Sequence, residues 1–85
     1  MTVRVVLSTG VSGDYAGGEK EFDIDARNLR GVVKELESRF PGLGEFLEDE
    51  TTVAIDGEIH DPSSAFFTPL RDGCEVFFLP KIEAG

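Results

Sequence analysis

Apolar residues recur along this chain with changing rhythms. Over residues 2–8, TVRVVLS, Val3, Val5 and Leu7 fall on one side of an extended backbone, with Thr2, Arg4, Val6 and Ser8 on the other. That alternation is the mark of a half-buried strand. Residues 10–18, GVSGDYAGG, are rich in glycine and are expected to form a loop or a wide hairpin connection. Alternation resumes over residues 19–26, EKEFDIDA, with Phe22 and Ile24 inward and Lys20, Glu21, Asp23 and Asp25 outward. This predicts a second strand, antiparallel to the first.

The period then changes. Leu29, Val32, Val33, Leu36 and Phe40 follow the spacing of one helical stripe, with Arg30, Lys34, Glu35, Glu37 and Arg39 on the other faces. Asn28 is placed to cap the helix start, and Pro41 and Gly42 stop it. Residues 43–50, LGEFLEDE, predict a short further turn of helix, with Leu43, Phe46 and Leu47 as satellites of the core. In TTVAIDGEIHD, Val53 and Ile55 are strand-like, and Asp56-Gly57 is a two-residue hairpin signal. PSSAFFTPL is irregular, and one of Phe66 and Phe67 is expected in the core. Asp72-Gly73 is another turn, and CEVFFLP is a final strand.

That last strand changes the picture. Val76 and Phe78 can face the helix, so Phe77 and Leu79 project from the opposite side. With one good helix to cover the sheet, the second apolar face is expected to be an interaction surface. The order strand, strand, helix, strand, short strand, strand predicts an α+β fold. It has a mixed sheet of four to five strands with one main helix on one face. At 85 residues the chain is one small domain. Residues 80–85 are expected to form a mobile C-terminal tail.

Composition narrows the function classes. The net charge of −9 argues against phosphate backbones as partners, so no nucleic acid is expected. The one sequence cluster of acid, Glu45, Glu48, Asp49 and Glu50, serves either solubility or steering towards a basic partner. No apolar run approaches the ~20 residues that span a bilayer, and no signal-peptide pattern opens the chain. A single cysteine fits a reducing, cytoplasmic setting. Cys74 and His60 lack the clustered acid and base groups of a catalytic site, so no enzyme is expected. No metal site is expected either. Zinc would need further His or Cys ligands, an iron–sulfur cluster four cysteines, and the acidic run lacks calcium-loop spacing.

The closing residues carry a resemblance. Pro69, Leu70, Asp72, Gly73, Glu75, Val76, Phe78, Pro80 and Gly85 resemble the C-terminal pattern of the MoaD/ThiS sulfur-carrier family, above all the small subunit of molybdopterin synthase. That family pattern runs from a proline-leucine pair through an aspartate-glycine turn and an aromatic strand to proline and a glycine-glycine end. Three positions depart from it. Cys74 stands where an acid is common, Lys81 where a second proline is common, and Ala84 where the penultimate glycine is usual.

The resemblance implies a β-grasp, ubiquitin-like fold and a carrier rather than an enzyme. It implies that a ubiquitin-activating-like partner uses ATP to adenylate the carboxylate of Gly85, which becomes a thiocarboxylate. Its sulfur would be delivered to the large subunit of a synthase in molybdenum cofactor biosynthesis. Phe77, Leu79 and Pro80 would dock on partners, with Lys81, Ile82, Glu83 and Ala84 threading into their sites. No cofactor would be bound by the chain itself. Two alternatives use the same fold: a ubiquitin-like modifier joined through Gly85 to lysines, and a non-transferring interaction module in which Ala84 marks loss of activation.

Overall fold

The structure, a computed structural model, describes residues 2–81, excepting the side chains of Asp14 and Tyr15. The elements in chain order are β1 (Thr2–Leu7), α1 (Thr9–Tyr15), β2 (Glu21–Asp25), α2 (Leu29–Arg39), α3 (Leu43–Glu50), β3 (Thr51–Ile55), β4 (Glu58–His60) and β5 (Glu75–Pro80). The five strands form one sheet in the order β2-β1-β5-β3-β4. β1 and β5 run parallel at its centre, and the other pairings are antiparallel. This mixed sheet under a helix is the α+β arrangement expected from the element order and the β-grasp that the resemblance implies.

Strand alternation decides which face is closed. Val5 pairs with Phe22 and Val76, and Val76 with Ile55. Leu7 pairs with Phe78, and Phe78 with Val53. These inward rows pack against Leu29, Val32, Val33 and Leu36 of α2, and all four are buried in the core. α2 begins where Asn28 accepts a hydrogen bond from the Gly31 N–H at 2.9 Å. It ends at Phe40, ahead of Pro41, and the Phe40 ring meets Phe22 edge-on at 5.8 Å.

The glycine-rich stretch after β1 is not a loop. It forms the short helix α1, which buries Val11 and Ser12, with Ala16 buried at its C-cap. Glycine lowers intrinsic helix propensity by about 1 kcal/mol per residue relative to alanine, but burial of an apolar face overrides that preference here. The loop glycines proper are Gly17 and Gly18, both at positive φ. α3 is also longer than the single turn expected, and Leu43 and Leu47 are fully buried. Its first turn is satisfied by Glu37 of α2, whose carboxylate accepts from the Gly42 and Gly44 N–H groups, each at 2.9 Å.

Both aspartate-glycine turns form. Asp56 and Gly57 take positive φ at the β3–β4 hairpin, as a two-residue turn requires. The Asp56 carboxylate also accepts from the Glu75 N–H at 3.0 Å, which ties the hairpin tip to the start of β5. At the second turn Asp72 accepts from the Thr2 N–H at 2.9 Å, and the Gly73 N–H donates to the Thr2 carbonyl at 2.7 Å. The start of β5 is thereby fixed from two sides. Of the two adjacent phenylalanines, Phe66 packs against the core and Phe67 is 73% exposed.

Candidate docking face and tail root

The open side of the sheet is built from the residues left over by the core. Val6 pairs with Phe77, Phe77 with Ala54, and Ala54 with Ile59. One apolar row therefore crosses β1, β5, β3 and β4. Leu79 pairs with Thr52 in the next row. Phe77, Leu79, Val6 and Ala54 are half-buried, and Ile59 is 57% exposed. The row on the other side is charged. Arg4 pairs with Asp23 and Glu75 and forms an ion pair with Glu21. A stripe of apolar side chains thus lies open beside a charged band, with no helix among the described residues over it.

The stripe runs towards the end of β5. Pro80 is the last residue of that strand rather than the first of a tail, and it pairs with Thr51. The Lys81 N–H donates to the Glu50 carbonyl at 3.0 Å. Thr51 is buried, and its hydroxyl donates to the Leu47 carbonyl. A Cβ added to Gly10 would stand 3.8 Å from Cγ of Pro80, so α1 passes close by this end of the strand. Beside the root, Thr51, Thr52, Ile59, His60, Asp61 and Lys81 line a notch of about 240 Å³.

The expected site residues divide accordingly. Phe77 and Leu79 lie on the open face, whereas Pro80 alternates to the other side of the strand, close to Gly10 of α1, and Lys81 follows at the strand's end. Ile82, Glu83, Ala84 and Gly85 lie outside the described residues. Sequence reasoning missed Ile59 and Ala54 as members of the face. The signal was present, because the two-residue Asp56-Gly57 turn fixes Ile55 opposite Glu58 and hence Ala54 opposite Ile59.

Cys74 and His60 line a second cavity of about 490 Å³ with Asp56, Glu58 and Arg71. Burial pushes the Cys74 thiol above its ordinary pKa, and the nearby Asp56 carboxylate pushes it further. His60 stands 3.7 Å from a carboxylate oxygen of Glu58. The arrangement favours a neutral thiol rather than an activated nucleophile. Among the described residues, no group of three or more His, Cys, Asp or Glu side chains is placed to hold a metal. No helix among them is long and apolar enough to cross a membrane.

The profile of the ThiS family matches residues 10–84. The chain belongs to the ThiS family. No curated protein sequence matches it. Among solved structures, it is similar to Mycobacterium tuberculosis CysO, an antigen, with 25% identity and a TM-score of 0.79, covering 94% of this chain and 99% of that one. It is similar to a chain of the complex of subunits 1 and 2 of molybdopterin-converting factor from Helicobacter pylori, with 26% identity and a TM-score of 0.68 over the whole of both chains. Small archaeal modifier protein 1 of Methanosarcina acetivorans shares the fold, at 19% identity and a TM-score of 0.77, covering 99% of this chain and 96% of that one. The chain is thus a ubiquitin-like protein of the sulfur-carrier and modifier group.

Proposed function

We propose that this protein is a sulfur carrier whose Gly85 carboxylate is adenylated by a partner enzyme and converted to a thiocarboxylate, with a molybdopterin precursor as the acceptor. The observation that carries the reading is the junction of the open apolar face with the end of β5. The strand that presents Phe77 and Leu79 is the strand that leads to Gly85. A partner seated on the face therefore receives the residues beyond Lys81 at a fixed launch point. The full-length likeness to a chain of the Helicobacter pylori complex supports molybdopterin as the acceptor pathway.

The chemistry needs activation because a carboxylate resists nucleophilic attack. Its oxygen attacks the α-phosphate of ATP held by the partner, and pyrophosphate leaves. A hydrosulfide-equivalent donor then forms the carbon–sulfur bond as the bond to AMP breaks. Delivery of the sulfur, with water supplying the oxygen, returns Gly85 to the carboxylate. Nothing in this sequence asks the chain to hold ATP or a metal. Its own residues dock, aim and present the acyl carbon, and Gly85 adds no Cβ at the narrowest point.

Intact-protein mass spectrometry tests the reading. The chain is co-expressed with the adenylating enzyme and sulfur donor of its own genome. The expected product has one oxygen replaced by sulfur, localised to Gly85, and a one-residue extension after Gly85 abolishes it. No such product from the natural chain, with the product from Ala84→Gly in the same cells, would overturn the reading and leave an interaction module. Thiol-resistant lysine adducts in place of the sulfur product would make it a modifier.

A further inference from the structure

The helix side of the molecule carries a feature that the carrier chemistry leaves unused. α2 and α3 flank a groove of about 320 Å³. Val33, Gly44 and Phe66 give it an apolar floor. Arg30 and Lys34 of α2 line one wall, and Glu45 and Glu48 of α3 the other. Among the described residues, none of these four charged side chains has an ion-pair partner. Glu37 also lines the groove, but its carboxylate is taken up by the first turn of α3. Beside the groove stands Phe67, the most exposed large apolar side chain described, with its ring 6.3 Å from that of Phe66.

A groove with one basic and one acidic wall is complementary to itself. A two-fold axis running along its floor exchanges the walls. Arg30 and Lys34 of each copy then face Glu45 and Glu48 of the other, as an isologous contact requires. The same operation brings the two apolar floors, Phe66 included, face to face. The molecule measures 34 × 28 × 18 Å, so its broad face can supply the roughly 800 Å² per partner of a standard interface. The net charge of −9 on each copy opposes approach at long range, but salt screens it beyond about 8 Å, whereas the walls pair at contact.

We propose that the α2–α3 groove is the interface of a two-fold symmetric dimer of this chain. The contact lies on the side away from the open sheet face, so each copy keeps Phe77, Leu79 and Lys81 free for another partner. It does not depend on the carrier reading.

Sedimentation equilibrium tests it, on the full chain at physiological salt and up to about 1 mM protein, where weak specific association still registers. The wild-type chain is expected to dimerise. Arg30→Glu with Lys34→Glu makes both walls acidic, and Glu45→Lys with Glu48→Lys makes both basic. Each variant alone is expected to weaken the dimer about tenfold or more, because symmetry counts every reversed pair twice. An equimolar mixture of the two is expected to restore association as a heterodimer, which also shows that both variants fold. Phe67→Ser is expected to weaken the wild-type dimer. A wild-type chain that stays monomeric throughout would overturn the proposal, and so would a dimer that both charge reversals leave intact.

Discussion

The two faces of β5 are one residue apart in sequence and serve opposite ends. Val76 and Phe78 are fully buried between β1, β3 and α2. Phe77 and Leu79 carry as much apolar surface yet stay half-buried on the uncovered side. A side chain already out of water contributes to folding, and one left partly in water holds its burial energy in reserve for a partner. The same strand thus anchors the core and presents the proposed docking face, and the sequence beyond it leads on to Gly85.

The sharpest way to break this comparison is to truncate both phenylalanines. Phe78→Ala is expected to cost about 3–5 kcal/mol of folding stability, read as a shift in the urea midpoint. Phe77→Ala is expected to cost about 1 kcal/mol or less in the same measurement, as surface changes usually do. Equal losses would mean that the open face is structural. Next in size is partner affinity. Phe77→Ser with Leu79→Ser is expected to weaken the activating partner's binding about tenfold or more while leaving the fold intact by circular dichroism.

A third prediction concerns the helix layer that closes the inner face. A Cβ at Gly44 would lie 2.9 Å from a Glu37 carboxylate oxygen and 3.0 Å from its Cβ. Gly44→Ala is therefore expected to dislodge the carboxylate that satisfies the start of α3 and to cost about 1–2 kcal/mol in thermal unfolding.

The smallest effect is the pH response of Cys74. Its folded pKa is raised by burial and by Asp56, so the native state holds its proton more tightly than the unfolded chain. That contribution is fully present below the unfolded thiol pKa and is lost as pH rises through the folded one. The wild-type chain is expected to lose slightly more stability than Cys74→Ala across the alkaline range. Alkylation of Cys74 is expected to be slow until the protein unfolds.

Much of this was legible in the sequence because the strands keep their period. Val3, Val5 and Leu7, Phe22 and Ile24, and Val76 and Phe78 all face the core as their spacing predicts. The α2 stripe, its Asn28 cap and both aspartate-glycine turns follow from local chemistry that tertiary packing did not oppose. α1 was illegible because its glycines signal a loop, and only the burial of Val11 and Ala16 makes it a helix. The breadth of the open face was under-read for a different reason. Ile59 sits on a three-residue strand too short to show a rhythm, and its place comes from the hairpin register. The α2–α3 groove needs both helices in position before its two charged walls face each other.

The measurement that tests the central claim most directly is ATP–pyrophosphate exchange by the adenylating enzyme of the same genome, titrated with wild-type chain and with the Phe77→Ser, Leu79→Ser variant. The account predicts that the variant needs about tenfold or more chain to reach half-saturation yet attains the wild-type maximal rate, because docking is impaired while Gly85 is intact. Identical half-saturation for the two chains, or exchange unaffected when Ala84 and Gly85 are deleted, would contradict it.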